Sequence, residues 1–381
     1  MKKIIWVSTV PLSMKLFCTG LFGALKEKWE LKAVSSPDKE LKEIENSQGI
    51  ETREIRMKRG ITPLSDFVAL CRLFFLFSRE KPDMVHSITP KAGLLAMAAA
   101  WLAGVKVRVH TFTGLIFPTA TGIKKVCCKI SDRMICRCAT HIIAESQGVR
   151  QELMTFGITR KSVRMNGYGN LRGVDADYYK ATDGLQAEAE AIRATMDAKP
   201  ETCVILYTGR LAHDKGIDEL TEAFAKIAKE GQDVRLVIAG IYDTSDPISE
   251  RAARIITGHH DIYFTDRWVH DVRPYYLAAD FLVLPSYREG MPNAVIEACA
   301  MGIPAIVTDV NGSREIITTG LNGIVIPARS TANLERAMSK LIEDKALRKE
   351  MARRARESVI SRFEQSFVRG ELVKFYEEVL K

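Results

Sequence analysis

The 381 residues are 46% hydrophobic and 27% charged, with 25 glycines and 13 prolines, which excludes collagen-like, low-complexity and disordered classes. Eight cysteines without matched spacings do not make a disulfide scaffold and read as reduced, intracellular thiols. The net charge of +8 is uneven: residues 1–175 carry 28 Lys and Arg against 15 Asp and Glu, and residues 176–381 carry 27 against 32, so an anionic partner is expected for the first half alone.

Lys3–Val10 is a β-branched run that predicts a first buried strand. As a secretory leader its apolar stretch is too short, and Pro11 and Lys15 interrupt it. A helical stretch follows over Leu16–Lys28, then a short apolar run at Leu31–Val34. Over Leu64–Arg79 the residues Phe67, Leu70, Leu73, Phe74 and Phe77 recur at a helical period. A strand at Met84–Ser87, a helix at Pro90–Ala103 and strands at Val105–Thr111 and Thr140–Ala144 come next. The apolar run Ala92–Val105 has 14 residues, short of the ~20 that cross a bilayer.

Between about Tyr178 and Glu201 large apolar residues thin out, and Pro200 closes the stretch, which predicts a domain junction. Domains of 1–180 and 181–362 follow from it. Strands at Cys203–Thr208, Val234–Ala239, Ile262–Phe264, Phe281–Leu284, Ala305–Thr308 and Gly323–Ile326 alternate with helices beyond it. This pattern predicts an α/β chain of two Rossmann-like, doubly wound parallel-sheet domains; a single barrel would lack the polar break. The last helix, within 363–381, carries Phe367, Leu372, Phe375 and Tyr376 and needs a surface to cover; packing back on the first domain is expected.

Ligands of open parallel sheets bind at the carboxyl ends of strands. Strand Cys203–Thr208 leads into Gly209-Arg-Leu-Ala-His-Asp-Lys-Gly216, which places Arg210 and Lys215 at such an edge. A planar guanidinium fork and a mobile ammonium together suit a diphosphate. Strand Phe281–Leu284 leads in turn into Pro285-Ser-Tyr-Arg-Glu-Gly-Met-Pro-Asn293, and a helix is expected from near Pro292. Amides of Met291, Asn293 and Ala294 at its start would take anionic oxygens, while Glu289 and Glu297 would grip sugar and ribose hydroxyls.

With these residues the chain resembles the retaining glycosyltransferase family 4, whose members have the GT-B fold of two Rossmann-like domains facing across a cleft. The likeness runs over nearly the whole sequence and includes Thr89-Pro-Lys-Ala-Gly-Leu94, Gly173-Val-Asp175 and Gly312-Ser-Arg-Glu315. It implies that Arg210 and Lys215 neutralise the donor diphosphate, and that Glu297 binds ribose. Glu289 with Gly290, Met291, Pro292 and Asn293 would hold the donor sugar. Gly20, in the first strand–helix loop, would approach the phosphates, and the base would lie near Phe264–Arg267. It further implies retention of configuration without an enzymic nucleophile and without a metal or other cofactor. Relatives carry a His–Gly pair after the fourth strand; here Thr113 precedes Gly114 and His110 lies three residues earlier, so both are candidates.

The expected donor is a nucleotide-diphosphate sugar, a UDP-sugar. The expected acceptor is a polyprenyl-diphosphate-linked sugar or a glycan in bacterial capsule, O-antigen or exopolysaccharide synthesis. An epimerase or phosphorylase of the same fold, or a silent nucleotide-sugar-binding subunit, are the alternatives. Lys124, Lys125, Lys129, Arg133 and Arg137, with Arg72, Arg79 and Phe74–Phe77, predict a basic and apolar surface. A cytoplasmic chain held peripherally at the inner, anionic face of the plasma membrane would use it. Nucleic acid is not expected, because no recognised motif accompanies the charge. Asp175-Ala-Asp177 imitates a metal-binding pattern without its context, and Cys127, Cys128, Cys136 and Cys138 lack zinc-site spacing.

Overall fold

A computed structural model describes residues 1–18, 20–58 and 60–381. The chain divides into two units: Met1–Gly173 with Gln365–Lys381, and Val174–Glu364.

The first unit holds strands β1 (Lys3–Val7), β2 (Glu30–Ser35), β3 (Glu51–Glu54), β4 (Met84–Ile88), β5 (Val107–Phe112), β6 (His141–Ala144) and β7 (Val163–Met165). They form one parallel sheet in the order β3-β2-β1-β4-β5-β6-β7. The second unit holds β8 (Cys203–Thr208), β9 (Val234–Ala239), β10 (Ile262–Phe264), β11 (Phe281–Leu284), β12 (Ala305–Thr308) and β13 (Gly323–Ile326). Its parallel sheet runs β10-β9-β8-β11-β12-β13. Both orders are doubly wound, with the reversal at β1/β4 in one and β8/β11 in the other. Central strands such as β4, β8 and β11 are buried along their whole length. Helices on both faces therefore explain why they read as continuous apolar runs.

The polar stretch expected to be a junction instead forms a helix, Asp183–Ala194, within the second unit. The Thr182 hydroxyl caps it by accepting from the Leu185 amide at 3.3 Å, and only Leu185 and Ala189 are buried. The boundary falls earlier because residues after Gly173 are pinned to the second unit. The Val174 amide donates to the Phe363 carbonyl at 2.8 Å, and the Arg356 guanidinium donates to the carbonyls of Tyr179, Ala300 and Ala176. The Asp175 carboxylate accepts from the amides of Asp177 and Tyr178, both at 2.9 Å, so the Asp-x-Asp pattern is a turn.

The last helix, Gln365–Val379, belongs to the first unit. Tyr376 is wholly buried there, its hydroxyl hydrogen-bonded to His86 Nδ1 and its ring edge-on to Trp29 at 5.6 Å. His86 in turn lies 4.0 Å from the Trp6 ring and bonds the Thr111 hydroxyl at 2.8 Å. Asn166 Nδ2 donates to the Val368 carbonyl at 2.9 Å, a second fastening of the same helix.

On one face of the first sheet the helices Pro63–Glu80 and Gly122–Cys138 flank and pack against Pro90–Leu102. The middle helix is built on Ala92, Ala96, Ala99 and Ala100, all fully buried, so its neighbours approach closely. Asp132 of Gly122–Cys138 is only 5% exposed, and burial pushes its carboxyl from the ordinary 3.8 up to about 7. Between those values the folded chain retains a proton that the unfolded chain has released. Stability therefore falls as pH rises from about 4 to about 7, and levels off above. Asp132→Asn should raise Tm at about pH 8 and leave it near wild type at about pH 4. Calorimetry giving the same difference at both pH values would refute the burial.

Candidate functional site

In the second sheet the chain leaves β8 toward β9 and later returns to β11 on the other side. The loops after β8 and β11 thus emerge next to each other, and the crevice they frame is where such sheets take ligands. The first loop carries Arg210 and Lys215, the second Glu289 through Asn293. They are fastened by backbone: the Tyr287 amide donates to the Asp214 carbonyl at 2.8 Å. Gly216, at φ +69°, allows the approach, since a Cβ there would lie 2.2 Å from the Pro285 carbonyl oxygen.

This brings Lys215 and Glu289 together, with Nζ 2.6 Å from Oε1 and side chains 20% and 12% exposed. Arg210 is more open, 44% exposed, and its guanidinium pairs with Asp243, a buried carboxylate in the loop after β9. Tyr207 lies wholly buried at the end of β8, and its hydroxyl donates to the Arg210 carbonyl at 2.7 Å. Its pKa is driven up, chiefly by burial and then by the Glu289 charge, so it remains a neutral donor that fixes the backbone under Arg210. A further pair, Arg288 with Asp214, ties the two loops again at 2.5 Å. Tyr287 donates to Glu219 at 2.7 Å, and burial with that acidic partner raises its pKa.

The helix after β11 spans Asn293–Ala300, with Pro292 as its N-cap, one residue earlier than a first-turn proline. The amides of Gly290, Met291 and Ala294 have no acceptor recorded among the described residues, which leaves a cluster of donors beside Glu289. Gly312 supports that turn from the loop after β12: at φ +71°, a Cβ on it would stand 2.1 Å from the Gly290 carbonyl oxygen. Glu297, 9% exposed and one turn into the helix, accepts from the Tyr276 hydroxyl at 3.0 Å. Arg267 is exposed on the loop after β10, and Thr265 beside it bonds the Gly240 amide at 3.0 Å.

The remaining candidates belong to the first unit. Gly20 is not in the first strand–helix loop: residues Pro11–Cys18 already form a helix, and Gly20 N-caps the next one, Leu21–Lys26. The Arg369 guanidinium occupies the space a Cβ on it would take. His110 is 1% exposed inside β5, bonded to the Ser87 hydroxyl at 2.8 Å and lying against Gly93. Burial lowers its pKa to about 3, so the ring stays neutral and serves the core of this unit. Thr113 follows β5 and is half-buried. Sequence reasoning missed Asp243, Tyr207 and Tyr276, which carry no motif and become partners only through the topology.

Gly216→Ala should lower stability by about 1–3 kcal/mol in urea unfolding, because the new Cβ meets a carbonyl that cannot move without its strand. Gly231→Ala is the control, with φ +83° but nothing within 4 Å of the added carbon. Equal losses in the two variants would mean that the close approach at Pro285 is relaxed in solution.

Residues 188–358 match the family described as Glycosyl transferases group 1, and residues 18–169 match the Glycosyl transferase 4-like domain. The chain is 30% identical over 381 residues to the capsular polysaccharide biosynthesis glycosyltransferase CapM of Staphylococcus aureus, covering 100% of this chain and 98% of that protein. It is 27% identical to the UDP-Gal:alpha-D-GlcNAc-diphosphoundecaprenol alpha-1,3-galactosyltransferase of Escherichia coli, over 80% of this chain and 78% of the relative. Among solved structures, HepE of Anabaena in complex with UDP and glucose superposes with a TM-score of 0.83 at 17% identity, over 99% of this chain and 100% of that one. Sucrose-phosphate synthase of Thermosynechococcus elongatus gives 0.82 at 19% identity, over 100% and 99%. These likenesses establish the GT-B fold.

Proposed function

The chain belongs to the glycosyl transferases group 1 family and is a glycosyltransferase, and on that footing we propose that it transfers a sugar from a UDP-sugar to a polyprenyl-diphosphate-linked or glycan acceptor in bacterial capsule, O-antigen or exopolysaccharide synthesis. The Staphylococcus aureus relative supports the capsular setting by its name. The Escherichia coli relative, whose name specifies UDP-Gal and a diphosphoundecaprenol acceptor, supports donor and acceptor class. The observation that carries the reading is the contact of Lys215 with Glu289 at 2.6 Å, next to the donor amides of Gly290 and Met291.

In this reading Arg210 and Lys215 exchange their carboxylate partners for the diphosphate and meet the charge that grows as it leaves, with no bound cation required. Glu289, released from Lys215, and the turn Gly290–Asn293 hold the sugar. Glu297 takes the ribose hydroxyls, its carboxylate set by Tyr276, and Arg267 stands toward the base. The bond from the anomeric carbon to the diphosphate oxygen breaks while the acceptor oxygen bonds to that carbon on the same face. The acceptor proton passes to the departing diphosphate, so configuration is retained. Catalysis then consists of positioning and electrostatic stabilisation.

Incubation with UDP-sugars and a polyprenyl-diphosphate-linked acceptor should release UDP together with a glycosylated lipid whose anomeric configuration matches the donor. An inverted product would exclude the same-face mechanism, and release of UDP without product would exclude the acceptor. Lys215→Ala and Glu289→Ala should each lower kcat by about 10²–10³. A variant turning over at the wild-type rate would remove that residue from the mechanism.

A further inference from the structure

A helix on the surface of a globular unit normally has one apolar stripe, which faces the core. Two helices of the first unit have a second stripe on the opposite side. In Pro63–Glu80 the core side is Ala69, Leu73 and Phe77, each about 1% exposed or less. Leu64, Phe67, Val68 and Phe75 on the outer side are 86%, 64%, 49% and 67% exposed. In Gly122–Cys138 the inner side carries Asp132, Ile135 and Cys136, all buried, while Ile123, Val126, Ile130 and Met134 are 83%, 56%, 54% and 43% exposed. The second outer set recurs at three- and four-residue spacing along its helix, and in the first Phe75 lies seven residues, two turns, beyond Val68 on the same side. Between these helices Pro90–Leu102 ends in Trp101 and Leu102, 57% and 56% exposed.

The charges on these helices are sorted just as strictly. Arg72 and Arg79 flank the first stripe and Lys124, Arg133 and Arg137 border the second; all five are exposed. Among the described residues none of these five has a recorded carboxylate partner. The acidic side chains point elsewhere. Asp66 pairs with Lys91 at 2.7 Å, Glu80 with Lys3 and Lys32 at 2.9 and 2.8 Å, and Asp132 is buried. The outer surface is therefore apolar and cationic, without exposed carboxylates on either helix. A folded partner that matched it would need an acidic rim around an apolar centre. A bilayer with anionic headgroups supplies both properties over any area, with headgroup phosphates for the five cations and acyl chains for the two stripes.

We propose that the outer faces of Pro63–Glu80 and Gly122–Cys138 form a docking surface for an anionic lipid bilayer, lying in the headgroup region without spanning it. No helix among the described residues is long and apolar enough to cross a membrane. This surface is independent of the donor and acceptor assigned above, so its test can fail without touching that assignment.

The test is co-sedimentation of the full chain with vesicles of phosphatidylcholine alone, or of equal parts phosphatidylcholine and phosphatidylglycerol. Binding is expected to the mixed vesicles only, and to drop at least about tenfold when salt is raised until the Debye length is a few ångströms. Lys124→Glu combined with Arg133→Glu should weaken it about twentyfold or more, at about fivefold per cation lost. Phe67→Ser combined with Phe75→Ser should weaken it at least about tenfold. Both double variants should keep the wild-type circular dichroism and thermal transition, because the substituted side chains face outward. Equal binding to both vesicle types, indifference to salt, or wild-type binding by both double variants would overturn the proposal. So would absence of vesicle binding accompanied by a dimer that the phenylalanine substitutions dissolve, which would assign the stripes to contact between copies.

Discussion

Lys215 and Glu289 are separated by 74 residues of sequence, yet their side chains share a hydrogen bond. Only the reversal of strand order between β8 and β11 brings them that close, because the chain must wind outward through β9 and β10 before it returns. The rest of the second unit's chemistry leans on that meeting of two loops. Its tolerance is small: one carbonyl, that of Pro285, sits where any side chain at Gly216 would begin.

Charge is handled differently in the two units. In the second, Arg210, Lys215 and Arg288 each already have a carboxylate, in Asp243, Glu289 and Asp214. The loops are thus close to neutral as they stand. Partly buried pairs of this kind contribute little net stability when intact but are costly to leave half-broken. The proposed diphosphate donor would therefore have to exchange partners with these carboxylates rather than merely break the pairs. In the first unit, by contrast, the exposed cations Arg72, Arg79, Lys124, Arg133 and Arg137 have no carboxylate partner among the described residues, and the acids of the same helices are paired or buried.

The strands that lie between two layers of helices were readable from the residues alone. β8, β9, β11 and β12 are short apolar runs bounded by Gly, Pro or Asp, and burial on both faces leaves little polar alternation to confuse them. Edge strand β3 of the first sheet was not: it is Glu-Thr-Arg-Glu and mostly exposed, so nothing apolar marks it, whereas edge strands β10 and β13 kept enough apolar residues to be read. The unit boundary was illegible for a related reason. Asp183–Ala194 buries only Leu185 and Ala189, and a helix with so slight an apolar face looks like a linker. In the site, Arg210, Lys215, Glu289 and Glu297 stood out because residue type and position at a strand end coincide. Asp243, Tyr207 and Tyr276 act through contacts that no spacing announces. His110 illustrates the opposite failure, since a histidine at a strand's end looks chemical in sequence until its burial against Gly93 is known.

The return of Gln365–Val379 to the first unit makes the second unit, topologically, an insertion within the first. The hydrophobic cluster around Trp6 and Trp29 has Leu372, Phe375 and Tyr376 as members, so it is incomplete without the helix that follows the second unit. The interior segment, Val174–Glu364, contains every strand of its own sheet and can close first. The first sheet consequently waits on a helix that follows the whole of the second unit in sequence, and a chain lacking that helix would hold a finished second sheet and an unroofed first one.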